Sequence, residues 1–178
     1  MKTLIIFTSQ TGFTKRYAQW LADRVGGDLL DLKDAQKKGL EYFDSYDAIC
    51  YGGWACAGNI NKLNWMKGNV PKWKGKKLVA FCVGGSPIDN PDIEVAFQNI
   101  FSQAPLNEVK PFYCPGGFNY EKMSKGSKAL MKVFVKTLKA KKDKTEEDEL
   151  MIKMVSQSYD ISDIKYIEPI VEYLEGDR

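Results

Sequence analysis

The sequence contains no histidine, which excludes several kinds of catalytic site at once. Ser-His-Asp and Cys-His nucleophile systems need an imidazole base, and most transition-metal sites use imidazole ligands. The four cysteines also lack the Cys-x-x-Cys spacing of zinc and redox sites; they are Cys50, Cys56, Cys82 and Cys114. We therefore predict no metal site and assign no catalytic residue. Any chemistry would come from a bound cofactor or from carboxylate, Lys, Tyr or Cys side chains.

Long hydrophobic runs are also missing. No run approaches the roughly 20 residues of a membrane-spanning helix, and the apolar stretch at 4–7 is too short for a signal peptide. A length of 178 residues with 44% hydrophobic residues suits a single domain that covers residues 1–178. We expect this domain to be cytoplasmic.

Two common phosphate-binding signatures are absent: the Gly-rich turn that ends in Gly-Lys-Ser/Thr, and Gly-x-Gly-x-x-Gly. A hydroxyl-rich turn instead follows the run at 4–7 and precedes a helical pattern. Its residues are Ser9, Gln10, Thr11, Gly12, Phe13 and Thr14. A strand that enters a helix through such a turn directs free N–H groups and the positive end of the helix dipole to one place.

This turn contains no Lys or Arg, so it suits a single terminal phosphate better than a magnesium-bound triphosphate. The alternative is an ordinary capped helix, because Thr11 and Thr14 are both plausible capping residues.

Strand and helix patterns alternate along the chain. Apolar runs predict strands at 4–7, 29–32, 48–51, 78–83 and 109–114. Helical spacing at 17–25, 62–67, 93–101 and 164–174 predicts the intervening and closing helices. This alternation predicts an α/β fold in which helices cover both faces of a parallel sheet. In such sheets ligands bind outside the carboxyl ends of the strands.

Strands one, three and four are each followed by a turn rich in glycine or hydroxyl groups. The residues predicted to bind a ligand after strand three are Gly53, Trp54, Ala55, Cys56, Ala57, Gly58 and Asn59. Those predicted after strand four are Val83, Gly84, Gly85, Ser86 and Pro87. Because the strands are parallel, we expect these two groups to lie at the same sheet edge as the first turn.

The first turn, Ser9-x-Thr11-Gly12-x-Thr14, resembles the FMN phosphate loop of flavodoxins. This resemblance implies a doubly wound, five-stranded parallel sheet of order 2-1-3-4-5, with FMN as cofactor. The first turn would then hold the phosphate, and the other two groups would line the isoalloxazine and its pyrimidine edge. Trp54 would either stack on the ring or pack against a neighbouring helix.

A basic segment lies between the fifth strand and the last helix, where we predict a helical insertion at approximately 115–160. Nine lysines and one aspartate between 122 and 144 give this segment a charge of +8, whereas the whole chain carries +3. Apolar residues recur among the lysines at helical spacing: Met123, Leu130, Met131, Phe134, Val135 and Leu138.

Such a basic amphipathic helix, from Lys125 to Lys144, has two interpretations. It would dock on an anionic membrane surface or an acidic partner, or it would pack on its own domain with a solvated lysine face. Few arginines and sparse interleaving of aromatic residues disfavour nucleic-acid binding.

Segments 51–60 and 112–120, with the lysine-rich helix after them, resemble the menaquinone-dependent protoporphyrinogen oxidase branch of flavodoxin-like proteins. This resemblance implies FMN, a long basic insertion near the flavin, and hydrogen transfer from a porphyrinogen to a quinone. The sequence departs from that branch at Cys56 and Ala57, where the enzyme's flavin loop carries a large basic or aromatic side chain. The departure weakens the expectation of porphyrinogen activity.

We therefore expect an FMN-dependent oxidoreductase or an electron-transfer protein whose redox partner is a quinone, a porphyrinogen or a redox protein. The mildly basic charge favours an enzyme, or a protein at the inner face of the membrane, over an acidic soluble carrier. The alternative is a non-catalytic flavodoxin-fold module that docks a partner or an anionic surface through its lysine-rich helix.

Overall fold

Five parallel strands form the central sheet in the computed structural model, which describes residues 1–176. The eight strands are β1 (Thr3–Phe7), β2 (Asp28–Asp31), β3 (Ala48–Cys56), β4 (Asn59–Ile60), β5 (Lys77–Gly84), β6 (Lys110–Pro115), β7 (Gly117–Phe118) and β8 (Tyr159–Asp160). The sheet order is β2-β1-β3-β5-β6, and the short β4 pairs with β3. The predicted order 2-1-3-4-5 of the parallel strands is therefore confirmed. Residues 177 and 178 of the predicted domain lie outside the described residues.

Helices cover both faces of this sheet. They are α1 (Phe13–Val25), α2 (Leu32–Ala35), α3 (Leu40–Asp44), α4 (Leu63–Asn69), α5 (Asp92–Phe101), α6 (Lys125–Ala140), α7 (Glu146–Val155) and α8 (Glu168–Glu175). Apolar side chains of α1 and α8 pack in one core cluster, and those of α2 to α5 pack in the other. All five residues of β1 are buried, as expected for a parallel strand covered on both faces.

The structure differs from the predicted elements in three places, of which one is the closing helix predicted at 164–174: Ile164–Ile167 is a 3-10 helix, and the α-helix begins at Glu168. Strand two ends at Asp31, because the Asp31 carboxylate accepts a hydrogen bond from Lys33 N (2.9 Å) and caps α2; the buried Leu32 is therefore helical. The predicted third strand at 48–51 was too short. β3 continues to Cys56 because Ala55 and Cys56 pair with β4 in an antiparallel hairpin.

The predicted insertion consists chiefly of α6 and α7, which lie between the two strands of a small antiparallel sheet, β7 and β8. Ser124 caps α6, and Thr145 and Asp148 form a capping box at the start of α7. Within residues 1–176, no helix combines the length and the apolar character needed to cross a bilayer.

Gly52 provides a test of how β3 and β5 pack. A Cβ added at Gly52 would overlap the ring of Phe81, whereas a Cβ at Gly68, an exposed position in α4, would meet no atom within 4 Å. We expect Gly52→Ala to lower the free energy of unfolding by about 2 kcal/mol or more through overpacking. The matched control Gly68→Ala should raise it by about 0.5 kcal/mol, because alanine favours the helix.

Urea unfolding followed by circular dichroism measures both changes. Equal stability of Gly52→Ala and the wild-type protein would contradict the described packing of β3 against β5.

Candidate functional site

The parallel pairing of three strands brings the predicted ligand-binding groups to one edge of the sheet. Phe7, the last residue of β1, pairs with Gly52 of β3, and Trp54 of β3 pairs with Val83 of β5. The Thr8 N–H also donates a hydrogen bond to the Gly52 carbonyl (2.9 Å). The loops that follow β1 and β5, and the end of β3, therefore share the carboxyl edge, as predicted.

The turn after β1 leaves the start of α1 without a side-chain cap. Gly12 is the N-cap residue, with a φ of 104°, and among the described residues no side chain caps the first turn of the helix. The alternative prediction that Thr11 or Thr14 caps α1 was therefore wrong. Thr14 lies inside the first turn and is buried, and Ser9 Oγ accepts a hydrogen bond from Gly12 N (3.1 Å).

These features give the turn the donors that an anion requires. The first backbone N–H groups of an α-helix have no partner within the helix, and no side chain in the described part of the chain caps them here. A Cβ added at Gly12 would meet no atom within 4 Å, so the structure is open on that side of Gly12. A phosphate group fits this arrangement of amides, helix dipole and nearby hydroxyls.

The predicted loop after β3 is a hairpin instead. Gly53, Trp54, Ala55 and Cys56 continue the strand, and Asn59 begins β4. Ala57 and Gly58 form the turn with positive φ angles of 49° and 72°. The two-residue turn with both φ angles positive is the kind that matches the twist of an antiparallel hairpin.

Contacts around the β3–β4 hairpin explain why the chain turns back after β3. The Tyr51 hydroxyl donates to the Asn61 carbonyl (2.7 Å), and Asn61 N donates to the Trp54 carbonyl (2.9 Å). A Cβ on Gly53 would lie 2.7 Å from the Asn61 carbonyl oxygen, so only glycine permits this approach. Tertiary contacts thus override the Gly-Gly signal for the end of a strand.

Trp54 is half-buried and belongs to neither core cluster. Within residues 1–176 it makes no aromatic ring contact. Trp54 does not line the cavity between the hairpin and the loop after β5. Cys56, near the tip of the hairpin, is exposed and free, whereas the other three cysteines are buried.

The loop after β5 is held by a tyrosine of β6. Val83 and Gly84 are buried at the end of the strand, Gly85 and Ser86 are half-buried, and Pro87 is exposed. The Tyr113 hydroxyl donates to the Ser86 carbonyl (2.9 Å) and accepts from Ser86 N (3.0 Å).

Burial raises the pKa of Tyr113, so its hydroxyl remains protonated and able to donate near neutral pH. The Gly84 carbonyl is also fixed, because it accepts from Gly116 N (2.7 Å). The loop is therefore rigidly anchored through its backbone.

A cavity of about 200 Å³ lies between the hairpin and the loop after β5. Ala55, Gly58 and Asn59 line it from the hairpin, and Gly84, Gly85 and Ser86 line it from the loop. The turn at 9–14 lies at the same sheet edge but does not line this cavity. A larger cavity of about 430 Å³ runs along α5 and contains none of the predicted site residues.

Sequence reasoning missed the residues that the insertion and its flanking strands bring to this site. Met151 of α7 lines the cavity, the Tyr159 hydroxyl donates to the Gly85 carbonyl (2.5 Å), and Asp160 forms an ion pair with Arg16 (2.6 Å). β7 and β8 have two residues each, which is too short for a visible alternation of apolar and polar residues. The glycines and aromatic residues at 112–120 were the only local signal.

Comparison with solved structures matches this chain to flavodoxins at low sequence identity. A WrbA-like flavodoxin from Agrobacterium tumefaciens shares 20% identity over 70% of this chain and 86% of that chain, with a TM-score of 0.49. Flavodoxin 2 from Bacillus cereus shares 17% identity over 75% of this chain and 99% of that chain (TM-score 0.45). Flavodoxin 1 from the same organism shares 17% identity over 68% of this chain and 89% of that chain, with a TM-score of 0.40.

The comparison with curated proteins gives no match. The family model described as the flavodoxin domain, however, matches residues 4–145, which include the turn after β1, the β3–β4 hairpin and the loop after β5. This match extends over most of the chain and agrees with the observed strand order. The chain belongs to the flavodoxin domain family.

Proposed function

We propose that this protein binds FMN at the carboxyl edge of its sheet and transfers electrons through it. The observation that carries the proposal is the uncapped start of α1, where backbone donors and the hydroxyls of Ser9 and Thr11 are available to a terminal phosphate. Membership of the flavodoxin domain family supports the same cofactor.

The three groups of residues would have different roles. The turn at 9–14 would hold the phosphate through amides and hydroxyls. The hairpin residues 53–59 and the loop residues 83–87 would contact the two sides of the ring system, with Trp54 as the aromatic surface. Such contacts orient a flavin and tune its redox potential, while the flavin supplies one- or two-electron transfer.

The identity of the redox partner is a second, more specific proposal. The resemblance to the protoporphyrinogen oxidase branch supports a quinone as electron acceptor and a porphyrinogen or another reduced compound as donor. The insertion that distinguishes this branch extends to the candidate site, where Met151 lines the cavity beside the hairpin. Cys56 and Ala57 remain a departure from that branch, which disfavours a porphyrinogen as the donor.

Replacing the hydroxyls of the turn tests FMN binding. We expect the wild-type protein to bind one FMN, and the double variant Ser9→Ala/Thr11→Val to bind it at least about tenfold more weakly, because hydrogen bonds to a charged phosphate are lost. Thr137→Val, an exposed hydroxyl change in α6, should leave affinity unchanged. Isothermal titration and flavin fluorescence measure the dissociation constants.

A wild-type protein that does not bind FMN would favour the alternative of a non-catalytic docking module. Once binding is established, an enzyme and an electron carrier are distinguished by stopped-flow absorbance. A quinone that reoxidises the reduced flavin at a catalytic rate supports the enzyme, whereas reoxidation by a redox protein alone supports the carrier.

We also propose that α6 docks on an anionic membrane surface. Of the five predicted stripe residues that lie in α6, three are partly buried, namely Met131, Val135 and Leu138, and α6 contacts α7. The other apolar side chains face solvent: Leu130 and Val133 are each 63% exposed, and Phe134 is 44% exposed. Neither interpretation from the sequence therefore describes the whole helix.

The positive charge of α6 favours an anionic partner. The helix contains lysines and no acidic residue, so a second copy of the same face would be repelled. Lys132, Lys136 and Lys139 of this helix are also exposed. A helix with this pattern lies in the plane of a membrane interface, with its apolar side chains inserted and its lysines near anionic headgroups.

Charge reversal tests the docking surface. We expect Lys132→Glu/Lys136→Glu/Lys139→Glu to weaken binding to phosphatidylserine-containing vesicles at least about tenfold, because each lysine contributes about 1 kcal/mol near anionic lipid. The matched control Lys33→Glu/Lys67→Glu/Lys74→Glu makes the same change in net charge at exposed positions outside α6. Vesicle sedimentation at fixed salt measures binding.

Leu130→Ser/Phe134→Ser should weaken binding without a change in charge. Equal loss of binding in the control variant and in the α6 variant would contradict a docking surface on α6, as would unchanged binding in both.

A further inference from the structure

The small sheet formed by β7 and β8 connects the loop after β5 to helix α1. β8 consists of Tyr159 and Asp160, whose side chains point to opposite sides of the strand. Tyr159 donates to the Gly85 carbonyl in the loop after β5 (2.5 Å), and Asp160 accepts from Arg16 of α1 (2.6 Å). One dipeptide therefore contacts both the ring-binding loop and the helix behind the phosphate-binding turn.

The contact between Tyr159 and Gly85 requires that residue 85 have no side chain, because Tyr159 and Phe118 pack closely against it. A Cβ added at Gly85 would overlap the ring of Phe118 and lie 2.7 Å from the Tyr159 hydroxyl, so only glycine fits. The Phe118 and Tyr159 rings pack with their centroids 5.5 Å apart. Burial raises the pKa of Tyr159 to about 12, which keeps its hydroxyl protonated near neutral pH.

The backbone of this loop is nearly completely engaged. Gly84 and Gly85 accept hydrogen bonds through their carbonyls, and Ser86 uses both its N–H and its carbonyl. Within residues 1–176, the Gly85 N–H has no hydrogen-bond partner. Gly85 lines the cavity, so this donor lies near the space that a ligand would occupy.

Glycine-rich backbone is costly to order, because glycine has the largest conformational freedom. Two adjacent glycines, Gly84 and Gly85, would lose that freedom on ligand binding unless the folded protein had already fixed them. Tyr159 fixes the Gly84–Gly85–Ser86 segment from the insertion side, while Tyr113 fixes it from β6. Such preorganisation increases affinity because less entropy is lost on binding.

The contact of Asp160 is weaker and more exposed. Burial opposes ionisation of Asp160, but hydrogen bonds from Ser162 and Arg16 outweigh it and lower the pKa of the carboxyl. Both side chains of the ion pair are nearly half exposed, so solvent screens their attraction. Tyr159 is therefore the residue through which the effect of β8 on the loop is best tested.

We propose that Tyr159 is a positioning residue for the cofactor: it holds the Gly85 peptide in its binding conformation and makes flavin affinity and potential depend on the insertion. This inference rests on the proposed FMN site. It assigns to the small sheet a role in preparing the site, separate from the docking proposed for α6.

Tyr159→Phe tests this inference by removing only the hydroxyl. We expect FMN to bind about fivefold to tenfold more weakly, which corresponds to one lost neutral hydrogen bond. The midpoint potential of the bound flavin should also shift. Tyr120→Phe is the matched control, because the Tyr120 hydroxyl donates to the Val155 carbonyl in the same insertion without contacting the loop; its FMN affinity and potential should remain those of the wild type.

Thermal unfolding of the apo variants identifies a purely structural effect. A lower Tm of Tyr159→Phe, with the affinity and midpoint potential of the wild type, would overturn the inference. If Tyr159→Phe does not fold, Gly85→Ala tests the same contact from the loop, with weaker FMN binding as the expected result and unchanged binding as the contradicting one. Failure of the proposed function is recognised separately, because the wild-type protein itself would then not bind FMN.

Discussion

The parallel pairing of β1 with β3, and of β3 with β5, is the constraint on which the candidate site depends. It aligns Phe7 with Gly52 and Trp54 with Val83, so segments far apart in sequence meet at one sheet edge. Gly52 is part of this constraint, since the Phe81 ring occupies the space of its missing side chain. A shift of one residue in this register would turn every side chain to the opposite face and separate the loops.

Much of this framework could be predicted from the sequence, because its strands are buried on both faces and are nearly continuous apolar runs. The runs at 4–7 and 78–83 locate β1 and β5 within one residue at each end. The β3–β4 hairpin could not be predicted in the same way. Gly52 and Gly53 normally indicate the end of a strand, and only the tertiary contacts of Tyr51 and Asn61 show that the strand continues.

The candidate site was predictable where it is built from loops that follow strands, and unpredictable where distant segments complete it. β7 and β8 pair across α6 and α7, so their contact leaves no local pattern. Their small sheet nevertheless reaches both Gly85 and Arg16, and α7 contributes Met151 to the cavity. The insertion is thus a structural part of the site, while its most basic helix, α6, presents an exposed apolar and lysine-rich surface.

We claim that amides at the start of α1 bind the phosphate of FMN. Titration of the ¹⁵N-labelled protein with FMN, followed by two-dimensional NMR, tests it residue by residue. The claim predicts saturable shifts of the Phe13, Thr14 and Lys15 amide signals at one equivalent of FMN, with smaller shifts for riboflavin, which lacks the phosphate. Binding of FMN that leaves these three signals unmoved would contradict it.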